Sequence, residues 1–281
     1  MSEQSSKPVL VPSPAGEGRE LVARLRELGH EVDHAPFVEL RMNRDSDAKH
    51  AVAALMVGRF TQLVLEGPRA VDLVLSYADL QDAAEAHHTR GEAGEADEGS
   101  DHASEDPDAP GRPVLALPRG TEVTAIGEDT AAALAEVGLE PTRTVPALDA
   151  GAGLEVPAAS REGEELLLIT SATAPASLTG QLQQAGYAVT RVTGYRPVPV
   201  GLDPQVVRDL RLAGYSSVAL PGTFLADLAG HLGIHRDIRV VTMHDGATKA
   251  AKARSLVVHG QATEPTGAAL AEAIDRAVAG S

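Results

Sequence analysis

The chain has 281 residues, of which 43% are apolar and 2% aromatic, and it carries a formal net charge of −16 and no cysteine. This length suits one large domain or two of ordinary size, and the absence of cysteine excludes disulfides, thiolate metal sites and cysteine nucleophiles. Because no apolar run has transmembrane length and the N-terminal residues lack a signal-peptide region, we expect a cytoplasmic protein with no membrane partner.

Three segments of the first half are repeated, in the same order, in the second half. Each copy reads as a buried strand, a short loop and a helix with apolar spacing near 3.6, and the first pair continues through a glycine into another strand. The paired segments are 7–32 with 164–189, 60–75 with 215–230, and 123–139 with 240–256. Strands that alternate with helices predict parallel sheets, so we expect an α/β fold of two parallel-sheet lobes related by internal duplication. The pattern alone favours one lobe for each repeat, in sequential order, and leaves other pairings open.

The negative charge is concentrated between the second and third segments, at residues 81–111. This stretch contains ten acidic residues, one arginine and no large apolar residue, so it carries −9 of the −16 and cannot form a core. We predict a mobile acidic insertion there. We interpret its histidines, His87, His88 and His102, as solvated linker residues and expect no metal site. No basic stripe occurs in the chain, which disfavours a nucleic-acid partner.

Every repeated unit places a short loop between a strand and the helix that follows it. At the carboxyl ends of parallel strands, free backbone N–H groups and helix dipoles favour carboxylate or phosphate groups. Six such loops around one cleft would suit a large polyanion, although each loop by itself is also explained by ordinary helix capping. The loops are PSPAGEG (12–18), EGPRA (66–70), GEDTA (127–131), TSATAPAS (170–177), PGTF (221–224) and HDGATKA (244–250). None of them is a dinucleotide or P-loop motif, so we expect no cofactor.

Two segments carry a resemblance to a known family. AIGEDTAAALAEVGL (125–139) is similar to the IGxxTAxAL segment of uroporphyrinogen-III synthases, and GYAVTRVTGYRPVP (186–199) is similar to their GxxVxxxxxYRxxP segment. With the repeats, the resemblance covers nearly the whole chain outside the acidic insertion.

The resemblance implies an architecture that differs from the sequential one. Residues 1–37 and 198–281 would form one discontinuous lobe, and residues 41–195 the other. The two lobes would be joined by a two-stranded β connection, made of VELRMN (38–43) and YRPVPV (195–200), with a cleft between them.

The resemblance also implies a reaction, the cofactor-independent closure of hydroxymethylbilane to uroporphyrinogen III with inversion of the last pyrrole ring. Tyr195, at the cleft edge, would protonate or hydrogen-bond the departing hydroxyl group, and Thr130 would hold a substrate carboxylate. A half-buried strand tyrosine and a plain helix cap are the structural alternatives for these two residues. We expect a monomer that binds a linear tetrapyrrole polycarboxylate. The further candidate substrate-binding residues are Pro14, Gly67, Arg69, Gly127, Ser171, Ala172, Thr173, Gly222, Thr223 and Thr248.

The chain departs from the family pattern in several of these loops. The segment FTSxNAV of the family is LEGPRAV at 65–71, which places Glu66 where an anion should bind and Arg69 in place of the asparagine. The VTRP pattern is VPSP at 11–14 and lacks its arginine. A second hypothesis is therefore a catalytically silent paralogue that binds an anionic ligand or a protein partner.

Overall fold

The computed structural model describes residues 7–78, 114–146 and 157–280 and has a mixed α/β fold. The acidic insertion predicted at 81–111 lies outside the described residues. Strands alternate with helices along the chain, as the repeats predict, and the strands belong to two sheets.

One sheet has five strands, all parallel to their neighbours. Short β-branched and apolar runs such as VLV and SVAL form its centre, and these runs are buried on both faces, as expected for a parallel sheet. The strands of this sheet, in chain order, are β1 (Val9–Val11), β2 (Val32–His34), β9 (Ser217–Leu220), β10 (Arg239–Thr242) and β11 (Val258–Gln261). Across the sheet the order is β11-β10-β9-β1-β2.

The other sheet has six strands and is mixed. Its order is β3-β8-β7-β4-β5-β6, and β3 runs antiparallel to β8 while the remaining neighbours are parallel. In the antiparallel pair Val38 lies opposite Pro199 and Met42 lies opposite Tyr195. The strands are β3 (Val38–Met42), β4 (Gln62–Glu66), β5 (Glu122–Ile126), β6 (Arg143–Val145), β7 (Glu164–Ser171) and β8 (Tyr187–Pro199).

The helices connect these strands and cover both faces of each sheet. Several begin with a side chain that caps the first turn, such as Asp45, Asp203 and Thr266. The helices are α1 (Arg19–Glu27), α2 (Ser46–Met56), α3 (68–78), α4 (Glu128–Glu136), α5 (Ser177–Gln184), α6 (Pro204–Arg211), α7 (Thr223–Leu232), α8 (Asp245–Ala253) and α9 (Gly267–Ala279). Among the described helices, none is long and apolar enough to cross a lipid bilayer.

The pairing of the strands corrects the sequential interpretation. β1 pairs with β9, and β4 pairs with β7, so each sheet combines strands from both repeats. The sequential arrangement is wrong because similar strand–helix units present similar apolar faces, and their local pattern does not determine which distant strand becomes a neighbour. Separate apolar clusters form on the two faces of each sheet, with Leu10 and Val11 of β1 on opposite faces.

Candidate functional site

The loops predicted to surround a cleft meet in two groups. Loops 66–70, 127–131 and 170–177 lie together at the carboxyl end of the six-stranded sheet, where the Ser171 N–H donates to Glu66 Oε2 at 2.9 Å. Loop 12–18 comes from the other sheet and joins them, because the Gly18 N–H donates to Asp129 Oδ2 at 2.8 Å. Loops 221–224 and 244–250 lie at the five-stranded sheet and approach each other at Thr223 and Gly246.

Tyr195 lies on β8 beside the first group of loops and is only 4% exposed. Its hydroxyl group donates to the backbone carbonyl of Glu66 at 2.9 Å, and its ring lies against Gly67, where any added methyl group would overlap the phenol oxygen. Burial raises the pKa of Tyr195 well above 10, and the nearby Glu66 and Glu17 carboxyls raise it further. The phenol therefore stays neutral and acts as a hydrogen-bond donor.

Thr130 lies in the first turn of α4 and is 1% exposed. Its hydroxyl group donates to the Ile126 carbonyl at 2.6 Å and accepts the Gly67 N–H at 2.8 Å. Both bonds are to backbone groups, so in this structure Thr130 ties the loop after β4 to the start of α4. The predicted contact between Thr130 and a substrate carboxylate stays a prediction.

A cavity of about 150 Å³ lies between loop 12–18 and helices α3 and α4. Arg19 forms an ion pair with Glu136 at 2.5 Å, and Arg69 forms one with Asp72 at 2.9 Å, so the two arginines of the cavity wall are both paired. The residues around the cavity are Ala15, Gly16, Glu17, Arg19, Leu40, Pro68, Arg69, Asp72, Asp129, Ala133 and Glu136.

Three carboxyl groups, those of Glu17, Glu66 and Asp129, lie at or next to this cavity. Burial, with repulsion from Asp129 and Glu66 and against the attraction of Arg69, raises the pKa of Glu17 from 4.5 to about 7. The pKa of Glu66 is also raised by burial, against the lowering effects of the Ser171 N–H and the Arg191 guanidinium. Within the described residues, no group of three side chains is arranged to hold a metal ion.

The structure brings together some of the predicted site residues and separates others. Four of them lie near Tyr195 and Thr130: Gly67, Arg69, Gly127 and Ser171. The Ser171 hydroxyl lies 2.9 Å from the Thr173 hydroxyl. Ala172 and Thr173 are exposed, and Pro14 is buried in loop 12–18. The residues at the other sheet are Gly222 and Thr223, at the start of α7, and Thr248, at the start of α8.

The Thr248 side chain is bonded to other side chains of its own sheet. Its hydroxyl lies 2.5 Å from that of Thr242 and donates to Gln261 Oε1 at 2.6 Å. Thr248 is therefore buried away from the cavity that Glu17 lines.

Sequence reasoning did not single out Glu17, Asp129 or Arg191. Arg191 donates to the Ala174 and Pro175 carbonyls and so supports the loop after β7. The sequence offered no clear signal for Glu17, because an acidic residue just before a helix is also explained by the helix dipole. The importance of Asp129 depends on its contact with Gly18 across more than a hundred residues, which local patterns do not reveal.

A family model described as uroporphyrinogen-III synthase HemD matches residues 19–272. The chain belongs to the uroporphyrinogen-III synthase family. The resemblance carried by segments 125–139 and 186–199 is therefore confirmed, and membership connects the chain to porphyrin biosynthesis.

Solved structures of uroporphyrinogen-III synthases are similar to this chain in fold. The enzyme from Helicobacter pylori is 12% identical, with 95% of this chain and 97% of that chain covered and a TM-score of 0.52. A mutant enzyme from the extremely thermophilic bacterium Thermus thermophilus is 14% identical, with 98% and 100% covered and a TM-score of 0.49. A search of curated proteins gives no significant match.

Proposed function

We propose that the protein closes hydroxymethylbilane to uroporphyrinogen III, with inversion of the last pyrrole ring and without a cofactor. The observation that carries this proposal is the family match over residues 19–272. As part of this proposal, the protein is a monomeric, cytoplasmic enzyme whose substrate is this polycarboxylate.

Two lobes related by duplication are part of the proposal. One lobe consists of residues 1–37 and 198–281, the other of residues 41–195, and β3 with β8 forms the connection. In support, β1 and β2 share a sheet with β9, β10 and β11, whereas β4 to β7 share one with β8. The chain passes from one sheet to the other next to β3 and again at the end of β8.

We interpret the contacts across the cavity as a closed arrangement of the proposed lobes. The bond from Gly18 to Asp129 and the ion pair of Arg19 with Glu136 join loop 12–18 and α1 to α4. A cavity of about 150 Å³ is too small for four linked pyrroles, since pockets for much smaller ligands usually reach about 300 Å³ or more. We propose that these two contacts break when the substrate enters and that a ligand bound to both lobes draws them together again.

Backbone N–H groups at helix starts are the proposed receptors for the eight substrate carboxylates. Gly222 and Thr223 precede or begin α7, and the side chain of Thr223 is exposed, so a carboxylate can approach there without displacing a side chain. Arg69 in the cavity wall would exchange its Asp72 partner for a substrate carboxylate. Tyr195 is proposed to donate a hydrogen bond to the departing oxygen once the lobes have opened.

A specific observation favours the silent-paralogue alternative. Glu17, Glu66 and Asp129 place three carboxyl groups near the cavity, where they would repel a substrate carboxylate, and the hydroxyls of Tyr195 and Thr130 are both bonded to backbone. Such a paralogue would bind an anionic ligand or a protein partner and would leave the cyclisation unaccelerated.

Analysis of the product isomer separates these functions. Hydroxymethylbilane is incubated with the purified protein, with heat-denatured protein and with buffer, and the products are oxidised to porphyrins and resolved by chromatography. Spontaneous closure gives the type I isomer, so an active synthase shifts the product to type III in the native sample alone. Type I product in all three samples, at equal rates, would overturn the synthase proposal and favour the silent paralogue.

A further inference from the structure

The carboxyl group of Glu17 lies where a loop of the five-stranded sheet meets a loop of the six-stranded sheet. It belongs to loop 12–18, between β1 and α1, and faces the loop after β4, because its Oε1 lies 3.6 Å from the point where a Cβ of Gly67 would be. The same point lies against the Tyr195 hydroxyl. Glu17 is partly buried and lines the cavity.

The other polar groups around Glu17 are already engaged. Tyr195 donates to the Glu66 carbonyl, and Thr130 donates to the Ile126 carbonyl. The Asp129 carboxylate accepts the Gly18 N–H, and that of Glu66 accepts the Ser171 N–H. Glu17, in contrast, forms no side-chain hydrogen bond or ion pair with any residue of the described ranges 7–78, 114–146 and 157–280. It is a partly buried carboxyl group that lines the cavity without a hydrogen-bond or ion-pair partner among these residues.

We propose that Glu17 is the acid that protonates the departing hydroxyl group of the substrate, and that the Glu66 and Asp129 carboxylates stabilise the cation this step produces. This inference rests on the proposed synthase function and adds a catalytic residue to it. Glu17 lies just before the matched range 19–272, so the family match contains no information about it.

The proposed step balances in atoms and charge. The neutral Glu17 carboxyl transfers its proton to the oxygen of the hydroxymethyl group; the C–O bond breaks with both electrons moving to oxygen, and water departs. The pyrrole that remains is a cationic azafulvenium, which a pyrrole carbon attacks to form the new C–C bond. The final ring closure releases the hydrogen of the free α-carbon as a proton, and this proton restores the neutral carboxyl group. Carboxylates held in a site of low dielectric stabilise such a cation far more than water does.

The charged groups that face Glu17 suit it to this role. Asp129 of α4 and Glu66 of β4 repel its anion, Arg69 of α3 attracts it, and Tyr195 of β8 is neutral. Together with burial they bring the pKa of Glu17 to about 7, and an acid is most effective when its pKa is close to the working pH. The pKa of Tyr195 is raised well above 10, so its phenol is a much poorer proton donor.

The test compares Glu17→Gln and Glu17→Asp with the wild type and with a matched control, Glu31→Gln. Glu31 is an exposed glutamate of the same N-terminal segment, away from the cavity. Rates of type III formation at saturating hydroxymethylbilane are measured between pH 6 and 9, and circular dichroism checks the fold of each variant. We expect kcat of Glu17→Gln to fall by about 10²–10⁴-fold with little change in KM.

The pH profile gives a readout that a structural role would not produce. In the wild type and in Glu31→Gln, kcat should fall about tenfold per pH unit above about 7, because the neutral acid is lost. Glu17→Gln should lack this limb, and Glu17→Asp should keep it at a reduced rate.

Two results would overturn the acid role alone: type III formation by Glu17→Gln at the wild-type rate and profile, or a wild-type kcat that does not fall between pH 7 and 9. The second needs no variant to fold. Type I product from the wild type would overturn the synthase function itself. Failure of the acid role and failure of the synthase function are therefore distinguished by different results.

Discussion

Gly67 and Gly222 follow matched strands of the two repeats, yet their surroundings differ. Gly67 has a φ of +80°, and a Cβ there would overlap the Tyr195 hydroxyl group. Gly222 has an extended backbone with a φ of −142°, and a Cβ there would meet nothing within 4 Å. The two repeats thus share the strand–helix unit but differ in the packing around its loop. We call the loop after β4 locked, because the Tyr195 hydroxyl fills the space beside Gly67, and the loop after β9 open, because the space beside Gly222 is free.

The lock around Gly67 consists of two hydroxyl groups. Tyr195 donates to the carbonyl of Glu66, and Thr130 accepts the N–H of Gly67, so the single peptide group between Glu66 and Gly67 is held at both its oxygen and its N–H. Thr248 is the threonine at the comparable helix start of the other sheet, and it bonds to Thr242 and Gln261 instead. The loop after β9 therefore has free space beside Gly222, while the peptide group at the end of β4 is held in one geometry.

Among the residues that hold the loop after β4, the largest expected effect is on turnover in Tyr195→Phe, with Tyr187→Phe as its control. Tyr187 is also buried on β8, and it donates to the Pro157 carbonyl at 3.1 Å. Each variant should lose about 1 kcal/mol of unfolding free energy, whereas Tyr195→Phe alone should form type III product about 10²–10³-fold more slowly. Equal rates for the two variants in a stopped assay would show that Tyr195 only locks the loop.

The next effect tests the comparison directly through Gly67→Ala and Gly222→Ala. Gly67→Ala combines a left-handed backbone with overlap of the Tyr195 hydroxyl and should lower the unfolding free energy by roughly 2–4 kcal/mol. Gly222→Ala changes a helix N-cap in open space and should cost less than about 1 kcal/mol. Urea unfolding of both variants measures the difference, and similar midpoints would contradict a locked and an open loop.

A pH-dependent effect is expected for Glu17→Gln. The folded pKa of Glu17 is about 7 against an ordinary value of 4.5, so the folded state binds the proton more tightly. The wild-type unfolding free energy should therefore fall as pH rises from about 4.5 through 7, whereas the variant has no such proton to lose. Between pH 5 and pH 8 the variant should gain on the order of 2–3 kcal/mol relative to the wild type. A constant difference in urea unfolding across this range would show that Glu17 ionises freely.

The smallest effect is expected from Thr130→Val, compared with Thr248→Val. Thr130→Val leaves the Gly67 N–H without its acceptor and should cost about 1–3 kcal/mol, and it should weaken substrate binding more than turnover. Thr248→Val removes bonds to the exposed Gln261 side chain, which can reorient, and to the Thr242 hydroxyl, which keeps its 3.5 Å bond to the Gly260 carbonyl, so its cost should stay below about 1 kcal/mol. Thermal unfolding and KM measure both, and the reverse order of stability would refute the bracing role of Thr130.

The sequence was sufficient to predict the local structure and the family. It was not sufficient to predict the contacts between distant segments that form the site. Apolar spacing and loop glycines predicted the strand–helix units, because those patterns depend on neighbouring residues alone. The pairing of β1 with β9, and the approach of Glu17 to Gly67, depend on packing between distant segments. The identity of Tyr195 as a candidate came from the family resemblance, while its bond to the Glu66 carbonyl required coordinates.

The pairing of Val9 with Ser217 has a consequence for synthesis of the chain. On the ribosome, β1 and β2 emerge before β9, and β1 lacks its second neighbour until more than two hundred further residues have been made. The strands of the six-stranded sheet lie between these two points, so that sheet can be completed while the N-terminal segment waits. Contacts of such long sequence separation form slowly and leave strand edges unpaired. We therefore expect one edge of β1 to stay unpaired during most of the synthesis of the chain.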